Sequence, residues 1–180
     1  MKHILTTILV IVGFVSFAGK PETNDVAGYK NVEDIGHKYT LETYIQVSPP
    51  SVQVYYYTKK YCEQYNVPET VAFGIAKLET SYLGPNLNSY NPEQTSYANA
   101  YGTYQLLLST ARDMYEGNRN ELTPEMLLSD VRLNTQLGIK YLRYLHDIYG
   151  NWKIVCGYYN TGYPKINQYA IDATKYINHQ

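Results

Sequence analysis

The stretch between Asp130 and Gly150 carries a helix start signal, a helix stop signal and a helical apolar period between them. Asp130 can cap the free N–H groups of a first turn, and Gly150 can take the left-handed conformation that ends a helix. Leu137, Tyr141, Leu145 and Ile148 fall on one face. A helix of this length has to bury that stripe against other elements, and the rest of the chain offers mainly helices to do so. Val52 to about Tyr65 reads as a helix. Its first part, Val52 to Thr58, is β-branched and aromatic and is the best strand candidate, yet it sits in a helical run. Pro68 suits a helix start, with Glu69 in the first turn, and Gly84-Pro85 are expected to stop that helix. Further helices are predicted over about 105–116, from Thr123-Pro124-Glu125, from Trp152 to about Gly162, and from about 165. Strand signals are otherwise nearly absent, so the expected fold is mainly α, a single helical domain over 51–180.

The N-terminus is of a different kind. Lys2 and His3 precede an apolar run from Ile4 to Phe17, and Ser16-Phe17-Ala18 gives a small-x-small ending. This is the pattern of a secretory signal over 1–18, too short for a comfortable membrane span, which predicts export to a periplasmic or extracellular space and no stable membrane anchor after cleavage. An uncleaved anchor is the other reading. Residues 19–50 are polar and without a period, broken by Pro21, Gly28, Gly36 and Pro49-Pro50, and read as a linker or irregular arm. The formal charge of −1 leaves no basic footprint for nucleic acid. His3, His37, His146 and His179 are scattered, and with Cys62 and Cys156 they form no metal-ligand spacing, so neither metal nor cofactor is expected. In an exported chain those two cysteines can pair, or can stay as buried free thiols. Tyrosine is over-represented, with 22 residues against three Phe and one Trp. An aromatic face with a polar tip serves equally in half-buried packing and against sugar rings.

Glu79 is out of place for a surface acid. It lies near the end of its helix, where the dipole is negative, and shares a face with Ala72 and Ala76, which let another element come close. Lost hydration and a negative helix end both favour the neutral carboxyl and raise its pKa, as a general acid near neutral pH requires.

Ala76-Lys77-Leu78-Glu79-Thr80-Ser81-Tyr82 resembles the catalytic helix end of the soluble lytic transglycosylases of the lysozyme-like superfamily. Three more blocks follow in the family's order. Gly102-Thr103-Tyr104-Gln105, running on to Arg112, resembles Gly-Leu-Met-Gln and its continuation. Asn134, Gly138, Tyr141 and Leu142 match the long helix, and Gly157 to Gly162 resembles Ala-Ala-Tyr-Asn-Ala-Gly. The resemblance covers roughly residues 55–177.

It implies a lysozyme-like domain with a substrate cleft between Glu79, the Gly102–Gln105 segment and the Tyr159–Asn160 segment. It also implies an enzyme acting on peptidoglycan glycan strands, in which Glu79 is catalytic acid and then base and the product carries a 1,6-anhydro ring. Thr80, Gly102, Tyr104, Gln105, Tyr159 and Asn160 are the expected substrate-side residues, with Tyr159 helping to orient Glu79. Thr80 stands where the family usually has Ser, Thr103-Tyr104 replace Leu-Met, Leu108 replaces a Pro, and Tyr163-Pro164 replace Pro-Gly. Two alternatives stay open: a muramidase using water, for which Glu93 in the 83–101 loop is the candidate base, and a glycan-binding module without catalysis.

Overall fold

The structure, a computed structural model, describes residues 40–175. The expected signal at 1–18 and most of the 19–50 stretch lie outside the described residues. The end of that stretch departs from expectation: Leu41–Gln46 is a short helix, α1, not irregular arm. Ile45 is its buried residue, and Glu42 reaches Lys60 of the next helix at 2.8 Å, so contacts from outside the segment hold a pattern too short to read locally.

The helices α2 (Pro50–Tyr65), α3 (Glu69–Thr80), α4 (Leu108–Met114), α5 (Pro124–Ser129), α6 (Val131–Tyr149), α7 (Trp152–Thr161) and α8 (Gln168–Thr174) follow. Between α3 and α4 lies a two-stranded antiparallel hairpin, β1 (Ala100–Tyr101) and β2 (Leu106–Leu107), with Ala100 opposite Leu107 and Tyr101 opposite Leu106. The mainly helical expectation holds. None of the described helices is long and apolar enough to cross a membrane.

The core runs along α2 and α6. Val54, Tyr57, Thr58, Tyr61 and Cys62 are the buried positions of α2 beyond its first turn, at helical spacing, which settles 52–58 as helix. On α6, Leu137 and Leu145 are buried, Tyr141 is partly exposed, and Ile148 is 53% exposed, while His146 and Tyr149 on either side of it meet Trp152 and Tyr158 of α7. Both ends of α6 are as expected: Asp130 Oδ1 accepts from the Leu133 N–H at 2.9 Å, and Gly150 takes φ 64°.

Two boundaries differ from the sequence reading. Helix α3 stops at Thr80, four residues before Gly84. Ser81 turns left-handed at φ 58°, and the Ser81 and Tyr82 N–H groups close on the Lys77 and Ala76 carbonyls. Tyr82 is then buried, its phenol donating to the Ser51 carbonyl at 2.8 Å, so the chain is drawn toward the start of α2 before Gly84-Pro85 are reached. Helix α4 begins at Leu108 rather than near 105, because Leu106 and Leu107 pair with β1.

Candidate active site

Glu79 occupies the last turn of α3, partly buried. Burial pushes its carboxyl above the ordinary carboxylate range, and a hydrogen bond from the Tyr169 phenol, 2.5 Å from Oε1, pulls the other way. Tyr169 comes from α8. That helix starts at Asn167, whose Oδ1 accepts from the Ala170 N–H at 2.9 Å. It can lie against α3 because Gly74 has no side chain: a Cβ there would sit 2.0 Å from the Ala173 carbonyl oxygen. Gly157 clears α7 likewise, with the Lys165 carbonyl oxygen 1.6 Å from where its Cβ would be.

The three expected segments do come together. Thr80 Oγ1 lies 3.2 Å from the Thr103 carbonyl oxygen, which ties the Glu79 turn to the 102–105 segment. The Tyr159 phenol donates to the Tyr104 carbonyl at 2.5 Å, which ties α7 to the same segment. Burial and then the nearby Glu79 charge hold the Tyr159 phenol far above its ordinary pKa. The Glu79 charge is thus felt at Tyr159 with no hydrogen bond between them, and the phenol that bonds to Glu79 is that of Tyr169.

Three of the residues expected at the substrate, Thr80, Gly102 and Tyr104, are buried. Thr80 is buried, with its hydroxyl 2.8 Å from Tyr90 Oη and 3.0 Å from the Ala76 carbonyl oxygen. Tyr104 is fully buried, its phenol 2.9 Å from Thr58 Oγ1, because this long side chain fills the space above Gly138 that a Cβ would occupy. Gly102, at φ 77°, faces Asn134: its Cβ would stand 2.2 Å from Asn134 Nδ2. Gln105 keeps partial exposure, but its amide nitrogen is committed to the carbonyls of Gly102 at 2.8 Å and Gln94 at 3.0 Å. Asn160 is exposed and accepts from Asn167 at 3.1 Å.

Gln94 and Tyr169 escaped the sequence reading. The Gln94 amide donates to the Thr80 carbonyl at 3.3 Å, which ties the 83–101 loop to the end of α3, and the Gln94 carbonyl accepts from Gln105, which ties the same loop to the 102–105 segment. In that loop Tyr90 is buried, donating to Thr103 Oγ1 at 3.0 Å, Tyr97 is fully exposed, and Glu93 is exposed. Cys62 and Cys156 do not pair. Both are buried free thiols on different helices, and burial pushes Cys156 up to about 12. A surface hollow of about 330 Å³ lined by Met114, Met126, Arg132, Leu133 and Lys140, among others, includes none of the residues around Glu79.

Among solved structures, the complex of the 70-kDa soluble lytic transglycosylase with bulgecin A is 25% identical to this chain over 65% of it, with a TM-score of 0.50. The 70-kDa soluble lytic transglycosylase Slt70 from Escherichia coli is 25% identical over 67%, with a TM-score of 0.50. The chain spans 18% of the length of each. Comparison with curated proteins gives no match. The family model described as the transglycosylase SLT domain matches residues 56–178. Because that match takes in more than half of the chain, with Glu79, Gln105, Tyr159 and Tyr169 inside it, the chain belongs to the transglycosylase SLT domain family.

Proposed function

We propose that the protein is an exported lytic transglycosylase that cuts peptidoglycan strands between N-acetylmuramic acid and N-acetylglucosamine, with Glu79 as acid and base. The observation that carries this reading is the Glu79 carboxyl itself, held at a helix end, raised by burial and met by the Tyr169 phenol. Such a carboxyl is protonated over a wider pH range than a solvated one. It gives its proton to the bridging oxygen as the bond from that oxygen to the muramic acid anomeric carbon breaks, and the N-acetylglucosamine side leaves as an alcohol. The acetamido oxygen of the same sugar closes on the anomeric carbon. Glu79, now a carboxylate, takes the proton of the carbon-6 hydroxyl, and that oxygen displaces the acetamido oxygen to close the 1,6-anhydro ring. Water is not consumed, and Glu79 is returned protonated. Tyr169 stabilises the carboxylate stage without abolishing the acid stage.

Family membership, the Glu79 environment and the secretory pattern of residues 1–18 all support action on the wall outside the cytoplasm. Digestion of purified peptidoglycan by the mature protein, with Glu79→Gln beside it, tests the reading by mass spectrometry of soluble products. Anhydro-muropeptides that vanish with Glu79→Gln are expected. Reducing-end products would replace the transglycosylase with a hydrolase on the same site.

A further inference from the structure

Tyr159 is the inner end of a short row of tyrosine rings that leads away from Glu79 to the surface. Its ring lies 5.6 Å from that of Tyr141, tilted by 47°, and Tyr141 lies 6.4 Å from Tyr144 with the planes only 17° apart. Tyr141 and Tyr144 stand three residues apart on α6, so they share a face of that helix. Tyr159, its phenol tied to the Tyr104 carbonyl, and Tyr141 are both partly exposed, and Tyr144 is 49% exposed. Neither the Tyr141 nor the Tyr144 phenol makes a hydrogen bond to another described residue. This sets them apart from Tyr82, Tyr90, Tyr104, Tyr159 and Tyr169, whose hydroxyls are committed inside the protein.

Tyr141 packs against the core with one side of its ring, while Tyr144 is half open to solvent. Two nearly parallel rings 6.4 Å apart, with unused hydroxyls, offer apolar surface to pyranose rings and hydrogen bonds to their hydroxyls. We propose that Tyr141 and Tyr144 form a distal sugar-stacking subsite that grips the glycan strand beyond the sugars at Glu79 and so favours long strands over short ones. The inference deepens the glycan-cleaving reading above and rests on it for the identity of the ligand.

Strand binding and cleavage are measured separately so that the two readings can fail separately. Calorimetric binding uses the Glu79→Gln protein, with peptidoglycan glycan strands fractionated from disaccharide to octasaccharide as the probe. Adding Tyr144→Ala is expected to weaken octasaccharide binding roughly 3- to 10-fold and to leave disaccharide binding unchanged, while Tyr144→Trp retains the preference for length. Tyr144 is half-exposed, so its replacement leaves the core intact, and unchanged thermal melting checks this. Octasaccharide binding equal with and without Tyr144→Ala overturns the subsite, as does a loss that is the same for every strand length. If the parent protein yields no anhydro products while its Glu79→Gln form still binds long strands through Tyr144, the subsite stands and the transglycosylase reading falls.

Discussion

The phenol of Tyr169 donates to the carboxylate of Glu79 at 2.5 Å across a sequence separation of 90 residues. This bond favours the charged carboxyl, opposing the burial that favours the neutral one. Tyr169→Phe removes the opposing influence alone, so the Glu79 pKa rises further. The limb of the kcat/KM profile on which activity falls with rising pH is expected to move to higher pH. Loss of positioning is expected to lower kcat by up to about 10²-fold. A pH–rate series on a soluble glycan substrate reads both effects, and a profile that keeps its midpoint would sink the role given to Tyr169.

How much of this was legible in the sequence depended on whether the cause was local. Asp130 and Gly150 bracket α6 because a cap and a left-handed stop act within a few residues, and the structure uses both. Glu79 stood out for the same reason, as an acid at the wrong end of a helix. The end of α3 was misplaced because it is decided by Tyr82 reaching Ser51, a contact over 31 residues. Tyr169 was invisible for a like reason: nothing near it in sequence says which carboxyl it meets. Thr80, Gly102 and Tyr104 matched family blocks, but a block does not say which way a side chain points. The structure spends all three on joining the hairpin turn to α3, α2 and α6.

Gly74 governs the approach of α8. A methyl group there would lie 2.0 Å from the Ala173 carbonyl oxygen and 3.0 Å from its Cα, both main-chain atoms that move only with the helix. Gly74→Ala gains a better helix former on α3, worth about 1 kcal/mol, but it forces α8 outward. The expected outcome is loss of the Tyr169 hydrogen bond, hence the same alkaline movement of the pH profile as Tyr169→Phe, together with a lower melting temperature. Parent-like melting and pH dependence in Gly74→Ala would show that α8 does not depend on this contact.

Replacing the catalytic candidate should also change stability, with a definite sign. The Glu79 carboxyl is raised in the folded protein, so the folded state binds the proton more tightly than the unfolded chain. Stability is therefore greatest below the unfolded carboxyl pKa, declines as pH climbs through the raised folded value, and stays reduced above it. Glu79→Gln removes the charge and its burial cost. It is expected to melt above the parent at neutral pH, by about 2–4 °C for each 1 kcal/mol regained. The gap should close as the pH is lowered into the acid range. Melting curves of both proteins across pH decide it, since a gap that is constant with pH would mean Glu79 is not held in a desolvated place.

Asn134 is the fastener between α6 and the segment that faces Glu79. It is buried, with Oδ1 accepting from the Tyr104 N–H at 3.0 Å and Nδ2 donating to the Tyr101 carbonyl at 2.8 Å, so one amide holds both sides of the Gly102 turn. Asn134→Leu keeps the bulk but leaves the buried Tyr104 N–H without this partner, at a cost of roughly 1–3 kcal/mol, and takes a donor from the partly buried Tyr101 carbonyl. Gly102→Ala strikes the same joint from the other side, with its methyl 2.2 Å from Asn134 Nδ2, 2.7 Å from the Leu127 carbonyl oxygen, and a backbone at φ 77°. Each single variant is expected to lose about 2–4 kcal/mol in urea unfolding. Because both break one contact, the double variant should lose clearly less than the sum of the two. Additive losses would show that the Gly102 turn and the Asn134 amide support the Tyr104 peptide independently, and that the link from α6 to the Glu79 side runs by another route.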